Sequence, residues 1–231
     1  MDLSVLRTGK LYTSEEVIED GAIVYDSRKI LSVGRFTDLD LPSDISITEF
    51  SSCSAAPGLI DLHVHGAAGA DFMDATDEAF DSITKWHARG GTTAMLATTC
   101  AAPLLEIFHA VEKAGDWNEK QNNGAKILGV HAEGPFFNVD MRGCHLPEYI
   151  ISPDENAVTT FLEYRKIIKH ITIAPELAGA SKAIERFAAD DISVSAAHSN
   201  AEQQTVERAI ESGLGHVTHL FNAMSYYHKK G

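Results

Sequence analysis

Residues 57–66 read Pro57-Gly58-Leu59-Ile60-Asp61-Leu62-His63-Val64-His65-Gly66, and the fold turns on this stretch. Its Ile, Leu and Val residues predict a buried β-strand punctuated by glycine at both ends. Side chains two apart on a strand share a face, so His63 and His65 direct two imidazoles at one point, where Gly66 ends the strand. Imidazole is the commonest protein metal ligand. Taken alone, a His-x-His pair is an ordinary pair of packed or surface histidines; its neighbours in the sequence change that reading.

Working outward, three more predicted strands carry ligand-type residues at their ends. Ile127-Leu128-Gly129-Val130-His131-Ala132-Glu133 ends in a carboxylate, Ile192-Ser193-Val194-Ser195-Ala196-Ala197-His198 ends in a histidine, and His216-Val217-Thr218-His219 supplies another. Each is unremarkable singly. Together His63, His65, Glu133, His198 and His219 place nitrogen and oxygen donors at one end of successive strands. In a parallel α/β barrel that is the end where active sites are built. The donor set suits a divalent cation. His131 shares the face of Glu133 and is read as a supporting group rather than a ligand. His87, His109 and His170 are expected on helix surfaces, and His216 just before its strand.

The alternation of strands and helices fits this architecture. Strands are expected at residues 58–65, 92–99, 127–133, 171–175, 192–198 and 217–221. Amphipathic helices fall between them: residues 77–89, ending at Gly90-Gly91; a helix opened by the capping box Ser152-Pro153-Asp154-Glu155 and running to about Lys169; and residues 201–212, capped by Asn200. Strands alternating with helices imply parallel βαβ units. Six strands with five clear helices fall short of the eight units and typical ~250 residues of a closed barrel, so the expected architecture is about six of eight units, with the chain read as C-terminally incomplete. Open edges and exposed apolar faces are then expected at residues 58–65 and 217–221. Residues 1–54 differ: short strand-like pieces at 22–25, 30–33 and 45–48 predict a small antiparallel β layer, and residues 55–231 the barrel.

Composition narrows the function classes. The chain has 231 residues, 44% of them hydrophobic, and a net charge of -14. Acidic residues are dispersed and no basic stripe points to nucleic acid. No apolar run approaches the ~18 residues of a membrane span, and the first residues lack the features of a signal peptide. Three widely spaced cysteines, Cys53, Cys100 and Cys144, fit reduced thiols in the cytoplasm.

Beyond the ligand positions, the strings His131-Ala132-Glu133-Gly134-Pro135-Phe136, Gly143-Cys144-His145, Ala174-Pro175-Glu176, His198-Ser199-Asn200-Ala201 and Thr218-His219-Leu220-Phe221-Asn222-Ala223-Met224 are similar to those of N-acetylglucosamine-6-phosphate deacetylases, of the amidohydrolase superfamily. The resemblance runs from about Gly9 to Gly231. It implies a metal-dependent (β/α)8 barrel with a small β-sandwich domain, and hydrolysis of the acetamide of N-acetylglucosamine 6-phosphate. It also implies Glu133, His198 and His219 as ligands of a main zinc or iron ion, and His63 and His65 as ligands of a second, one or two ions per chain. His145, Cys144, Asn222, Ala223, His228 and Lys230 fall at substrate-contacting positions. Lys230 stands where the family has an arginine that reaches the phosphate of a homodimeric partner; charge is kept but the bidentate fork is lost. The family's catalytic aspartate has its place beyond Gly231, so impaired activity of these residues alone is expected. Two other readings stay open: a different amidohydrolase, against which the lack of a lysine in residues 171–175 speaks, and an inactive fragment.

Overall fold

From residue 59 onward, apolar strands and amphipathic helices alternate and build one parallel sheet. The computed structural model describes residues 3–27, 29–120 and 123–224. The chain divides into two compact units, Met1–Gly58 and Leu59–Gly231. In the first, β1 (Ser4–Tyr12), β2 (Val17–Tyr25), β3 (Ile30–Arg35) and β4 (Ser46–Ala55) form a four-stranded sheet in the order β3-β2-β1-β4. Its small core is Val5, Ala22 and Val24, packed by Phe36, Leu39, Leu41 and Ile45. The expectation of an antiparallel layer is corrected here: β1 pairs antiparallel with β2 but parallel with β4. Strand β1 itself has no counterpart in the sequence reading.

The second unit contains β5 (Leu59–Val64), a tight hairpin of β6 (Gly66–Ala67) and β7 (Ala70–Asp71), β8 (Thr92–Thr98), β9 (Lys126–Phe136), β10 (Ile168–Ile173), β11 (Ser193–Ala196) and β12 (Leu214–Val217). The large sheet has the order β12-β11-β10-β9-β8-β5, every neighbouring pair parallel. Helices α1 (Asp77–Arg89), α2 (Leu104–Lys120), α3 (Glu155–Glu163), α4 (Ala180–Ala189) and α5 (Gln203–Glu211) connect them. These are consecutive βα units of a TIM-type barrel. The hydrophobic core lies where these helices meet the sheet and includes Phe80, Ile107, Ile127, Phe136, Phe161, Ile171 and Phe187.

Local chemistry explains the helix ends. Thr76 caps α1 by accepting from Ala79 N at 3.2 Å, with Asp77 and Glu78 in the first turn. Asp154, not Ser152, caps α3, accepting from Ala157 N at 2.9 Å. That helix stops at Glu163 instead of running to residue 169, because Ile168 is fully buried at the start of β10 and the chain must turn to deliver it. His170 therefore lies in a strand and is 6% exposed, against the expectation of a helix surface. His216 lies within β12. Asn200 does not cap α5, which starts after Glu202; its backbone N–H donates to Glu176.

Strand β5 has the composition of a buried strand but borders the described sheet, as the count of six units implies. It pairs only with β8 among the described residues, and Ile60 is 61% exposed. Leu59, Leu62, Val217, Leu220 and Phe221 are exposed as well.

Core position decides the cost of a substitution. Ile127 is 0% exposed on β9, whereas Leu105 is 83% exposed on α2. Ile127→Ala should lose about 2–5 kcal/mol and Leu105→Ala less than about 0.5 kcal/mol. Urea unfolding followed by fluorescence of Trp86 and Trp117, both in the second unit, measures the difference.

Candidate metal centre

The ligand-type residues sit where strands give way to turns. His63 is the penultimate residue of β5 and His65 follows it, so the two-residue spacing holds across the strand end, with ring centroids 4.9 Å apart. Gly66 follows at once, where a Cβ would collide with Ala70 O. Glu133 lies inside β9, which continues to Phe136 rather than stopping at the carboxylate. Gly134 has φ +84, and a Cβ there would meet the Phe137 ring at 2.8 Å, so this turn of the backbone requires glycine.

His198 and His219 do not end their strands: β11 stops at Ala196 and β12 at Val217. Both histidines adopt left-handed backbone, φ 48 and 55. Such residues cost of order 1–3 kcal/mol each and persist where surrounding contacts impose them. Here the imposing contacts are hydrogen bonds. Asn138 N donates to His198 O at 2.9 Å. Glu176 accepts from Asn138 Nδ2, Ser199 Oγ and Asn200 N, tying together the loops after β9, β10 and β11.

The result is a cage of imidazoles around one carboxylate. Measured to the nearer Glu133 oxygen, the Nε2 atoms stand at 2.6 Å (His219), 3.0 Å (His65), 3.2 Å (His198), 3.6 Å (His145) and 3.9 Å (His63). Glu133 is 1% exposed. Three groups of donor atoms close enough to share an ion all contain Glu133: with His63 and His219, with His65 and Cys100, and with His145 and His198. The outer nitrogens are engaged too. His198 Nδ1 lies 2.9 Å from Met141 O, and His65 Nδ1 lies 3.3 Å from Cys100 Sγ. A carbonyl only accepts, so His198 Nδ1 is protonated, and Nε2 is the nitrogen that faces Glu133, 3.2 Å from its carboxylate. This donor set fits a divalent cation.

Without a cation the charges adjust among themselves. Burial pushes Glu133 up, but hydrogen bonds from His145, His198 and His65 outweigh it and hold the carboxyl well below the usual range. Burial pushes His65 down, and bonds to Cys100 and Glu133 overcome this, raising it to about 10. Burial lowers His63 to about 4. One imidazolium thus balances the carboxylate while its neighbour stays neutral.

Of the other expected site residues, His145 is buried and joins the cage, its ring tilted against Phe137 and edge-on to His198. Cys144, beside it, is exposed and outside the cage. Asn222 N donates to His219 O, and Ala223 O accepts from Ser199 N. His228 and Lys230 lie outside the described residues. Cys100 and Glu176 carry no site role in the sequence reading. The string Thr98-Thr99-Cys100, at the same end of its strand as the other donors, was the available signal for the thiol.

His170, behind the cage, is held neutral: burial lowers its pKa to about 4, with His216 and His63 adding repulsion. An unfolded histidine titrates near 6.5, so between about 6.5 and about 4 the unfolded chain takes up a proton that the folded one refuses. Stability of the cation-free protein should fall across that window as pH drops, by up to about 1.4 kcal/mol per pH unit for this group. In urea titrations at pH 7, 6, 5 and 4.5, His170→Gln should show a shallower loss than the parent.

Comparison with known proteins matches this geometry to a family. Over 227 residues the chain is 32% identical to N-acetylglucosamine-6-phosphate deacetylase of Bacillus subtilis (strain 168), covering 95% of this chain and 56% of that protein. It is 29% identical over 227 residues to N-acetylgalactosamine-6-phosphate deacetylase of Escherichia coli O157:H7, covering 98% and 58%. The structure of a point mutant of the Mycobacterium smegmatis N-acetyl-D-glucosamine-6-phosphate deacetylase in complex with N-acetyl-D-glucosamine-6-phosphate superposes with a TM-score of 0.87 at 25% identity, over 100% of this chain and 58% of that one. The Pasteurella multocida enzyme gives 0.86 at 28% identity, over 99% and 59%. The chain spans about half the length of the curated relatives it matches. Residues 54–231 match the Amidohydrolase family, and the chain belongs to it.

Proposed function

We propose that this protein carries out metal-dependent hydrolysis of the acetamide of N-acetylglucosamine 6-phosphate, giving glucosamine 6-phosphate and acetate. The observation that carries this reading is the convergence of five imidazole Nε2 atoms on the buried Glu133 carboxylate. Relatives with deacetylase names support the substrate class. Glu133, His198 and His219 would hold the main ion, zinc or iron, and His63 and His65 a second. A divalent cation bound there supplies Lewis acidity towards a carbonyl oxygen and lowers the pKa of water towards neutrality.

The chain's own residues do the rest. Glu133 and the imidazoles around it fix the donor geometry. His145, inside the cage, is placed to hydrogen-bond the substrate, and Cys144 shapes the adjoining loop. Asn222 and Ala223, in the turn after His219, together with His228 and Lys230, hold the sugar phosphate. With a net charge of -14 the protein repels an anionic substrate at long range, so binding rests on these local donors, within the ~8 Å over which charges are felt in physiological salt. Water adds across the amide: its hydroxyl goes to the acetyl carbon and its proton leaves with the amine.

In this reading residues 1–54 belong to a small β-sandwich domain and residues 55–231 to the barrel. The protein works in the cytoplasm as a homodimer, with no nucleic-acid or membrane partner. All three cysteines are free, and no helix among the described residues is long and apolar enough to cross a membrane.

The test is acetate release by zinc-loaded protein from N-acetylglucosamine 6-phosphate and, in parallel, from its galacto epimer. Release above the rate of free zinc, however slow, is expected with the gluco substrate. Glu133→Gln should lower it by on the order of 10²–10³. Bound zinc without acetate from either sugar would overturn the reading; release from the galacto epimer alone would reassign the substrate.

A further inference from the structure

Behind the cage, a line of polar side chains crosses the sheet. His131 Nδ1 lies 3.2 Å from His63 Nδ1 and 3.1 Å from Leu62 O. Its Nε2 lies 2.8 Å from Thr172 Oγ1. Thr172 Oγ1 is 3.1 Å from Ser195 Oγ, which is 2.8 Å from Thr218 Oγ1. The groups come from β5, β9, β10, β11 and the residue just past β12. His131, Thr172 and Ser195 are 1%, 0% and 0% exposed. Both nitrogens of His131 are engaged within this line, so it is no ligand. Buried polar networks of this kind act as a unit, because any member left unpaired is costly.

Each link holds one proton, so the line has a direction. If His63 turns Nε2 to a cation, its proton sits on Nδ1 and His131 Nδ1 must accept it. His131 then carries its proton on Nε2 and donates to Thr172, Thr172 to Ser195, and Ser195 to Thr218. In the reverse direction His131 Nδ1–H donates to Leu62 O and to His63, whose proton is then on Nε2, where it blocks a cation.

We infer that His131 is a positioning residue, and that with the hydroxyls of Thr172, Ser195 and Thr218 it forms one directed hydrogen-bond chain which sets the tautomer of His63 and so opens or closes that nitrogen to a cation. This rests on the metal reading above. No net proton is gained or lost: the hydroxyls rotate, each imidazole releases a proton at one nitrogen and takes one up at the other by exchange with water, and the chain reverses as a whole.

Thr172 is the residue to change. With valine there, the cation-bound direction strands a buried N–H, while the reverse direction leaves only an unfilled lone pair and keeps the bond to Leu62 O. Buried N–H groups without partners are the rarer and costlier case. Thr172→Val should therefore weaken zinc binding at His63 by about 10- to 100-fold, as loss of an outer hydrogen-bond partner does at other sites. Thr172→Ser should restore it. Thr99→Val, which removes a buried hydroxyl with no partner among the described residues, should leave it unchanged.

Folding of each variant is checked by circular dichroism, and a second measurement needs no variant at Thr172. Long-range ¹H–¹⁵N spectra of imidazole-labelled protein, assigned with His131→Asn, read the tautomers directly. Adding zinc should move the His131 proton from Nδ1 to Nε2. Zinc bound at His63 with His131 still protonated on Nδ1 would overturn the chain and spare the metal reading. Failure of the wild-type protein to bind zinc would overturn both.

Discussion

A buried carboxylate must be paired, and the structure is arranged around that requirement at Glu133. Stripped of water and left alone, such a charge costs several kcal/mol. Here five imidazoles surround it, and His65 carries the balancing proton while His63 stays neutral. A divalent cation meets the same need with a larger charge and directional bonds, and the five Nε2 atoms already converge on the carboxylate that would share it. The cage is therefore stable in outline without the ion and receptive to it.

Delivering six side chains to one point constrains the chain far from them. The parallel sheet brings β5, β9, β11 and β12 to a common end, but the strands alone do not aim the imidazoles. His198 and His219 reach inward because the backbone turns into the left-handed region just after β11 and β12. That conformation is unfavourable for histidine, and the clamp at Glu176 holds one of the turns in place with three donors. Packing of Phe136, Phe161, Phe187 and Ile171 between helices and sheet fixes the strands that carry these turns.

The parallel sheet and the donor set were legible because each has a local signature. Apolar runs separated by capped amphipathic stretches name the elements, and histidines two apart or at the close of an apolar run name the donors. What escaped depends on contacts between elements. Strand β1 alternates too weakly to announce itself and is defined by its pairing with β2 and β4. His170 reads as a helix residue because the capping signal near residue 154 implies a longer helix than the buried Ile168 allows. Cys100 becomes a neighbour of His65 only when β5 and β8 lie side by side. Strand β5 has the composition of an interior strand, and its place at the border of the described sheet followed from the count of six βα units rather than from its own residues.

The central claim is that the space around Glu133 is a cation site built from imidazole and carboxylate. X-ray absorption on zinc-loaded protein tests it most directly, since it reads the donor atoms whether or not turnover occurs. The account predicts a first shell of nitrogen and oxygen alone at about 2.0–2.1 Å, with the outer-shell scattering of at least two imidazoles. A sulfur shell at about 2.3 Å, which would place Cys100 on the metal, or a shell without imidazole scattering, would contradict it.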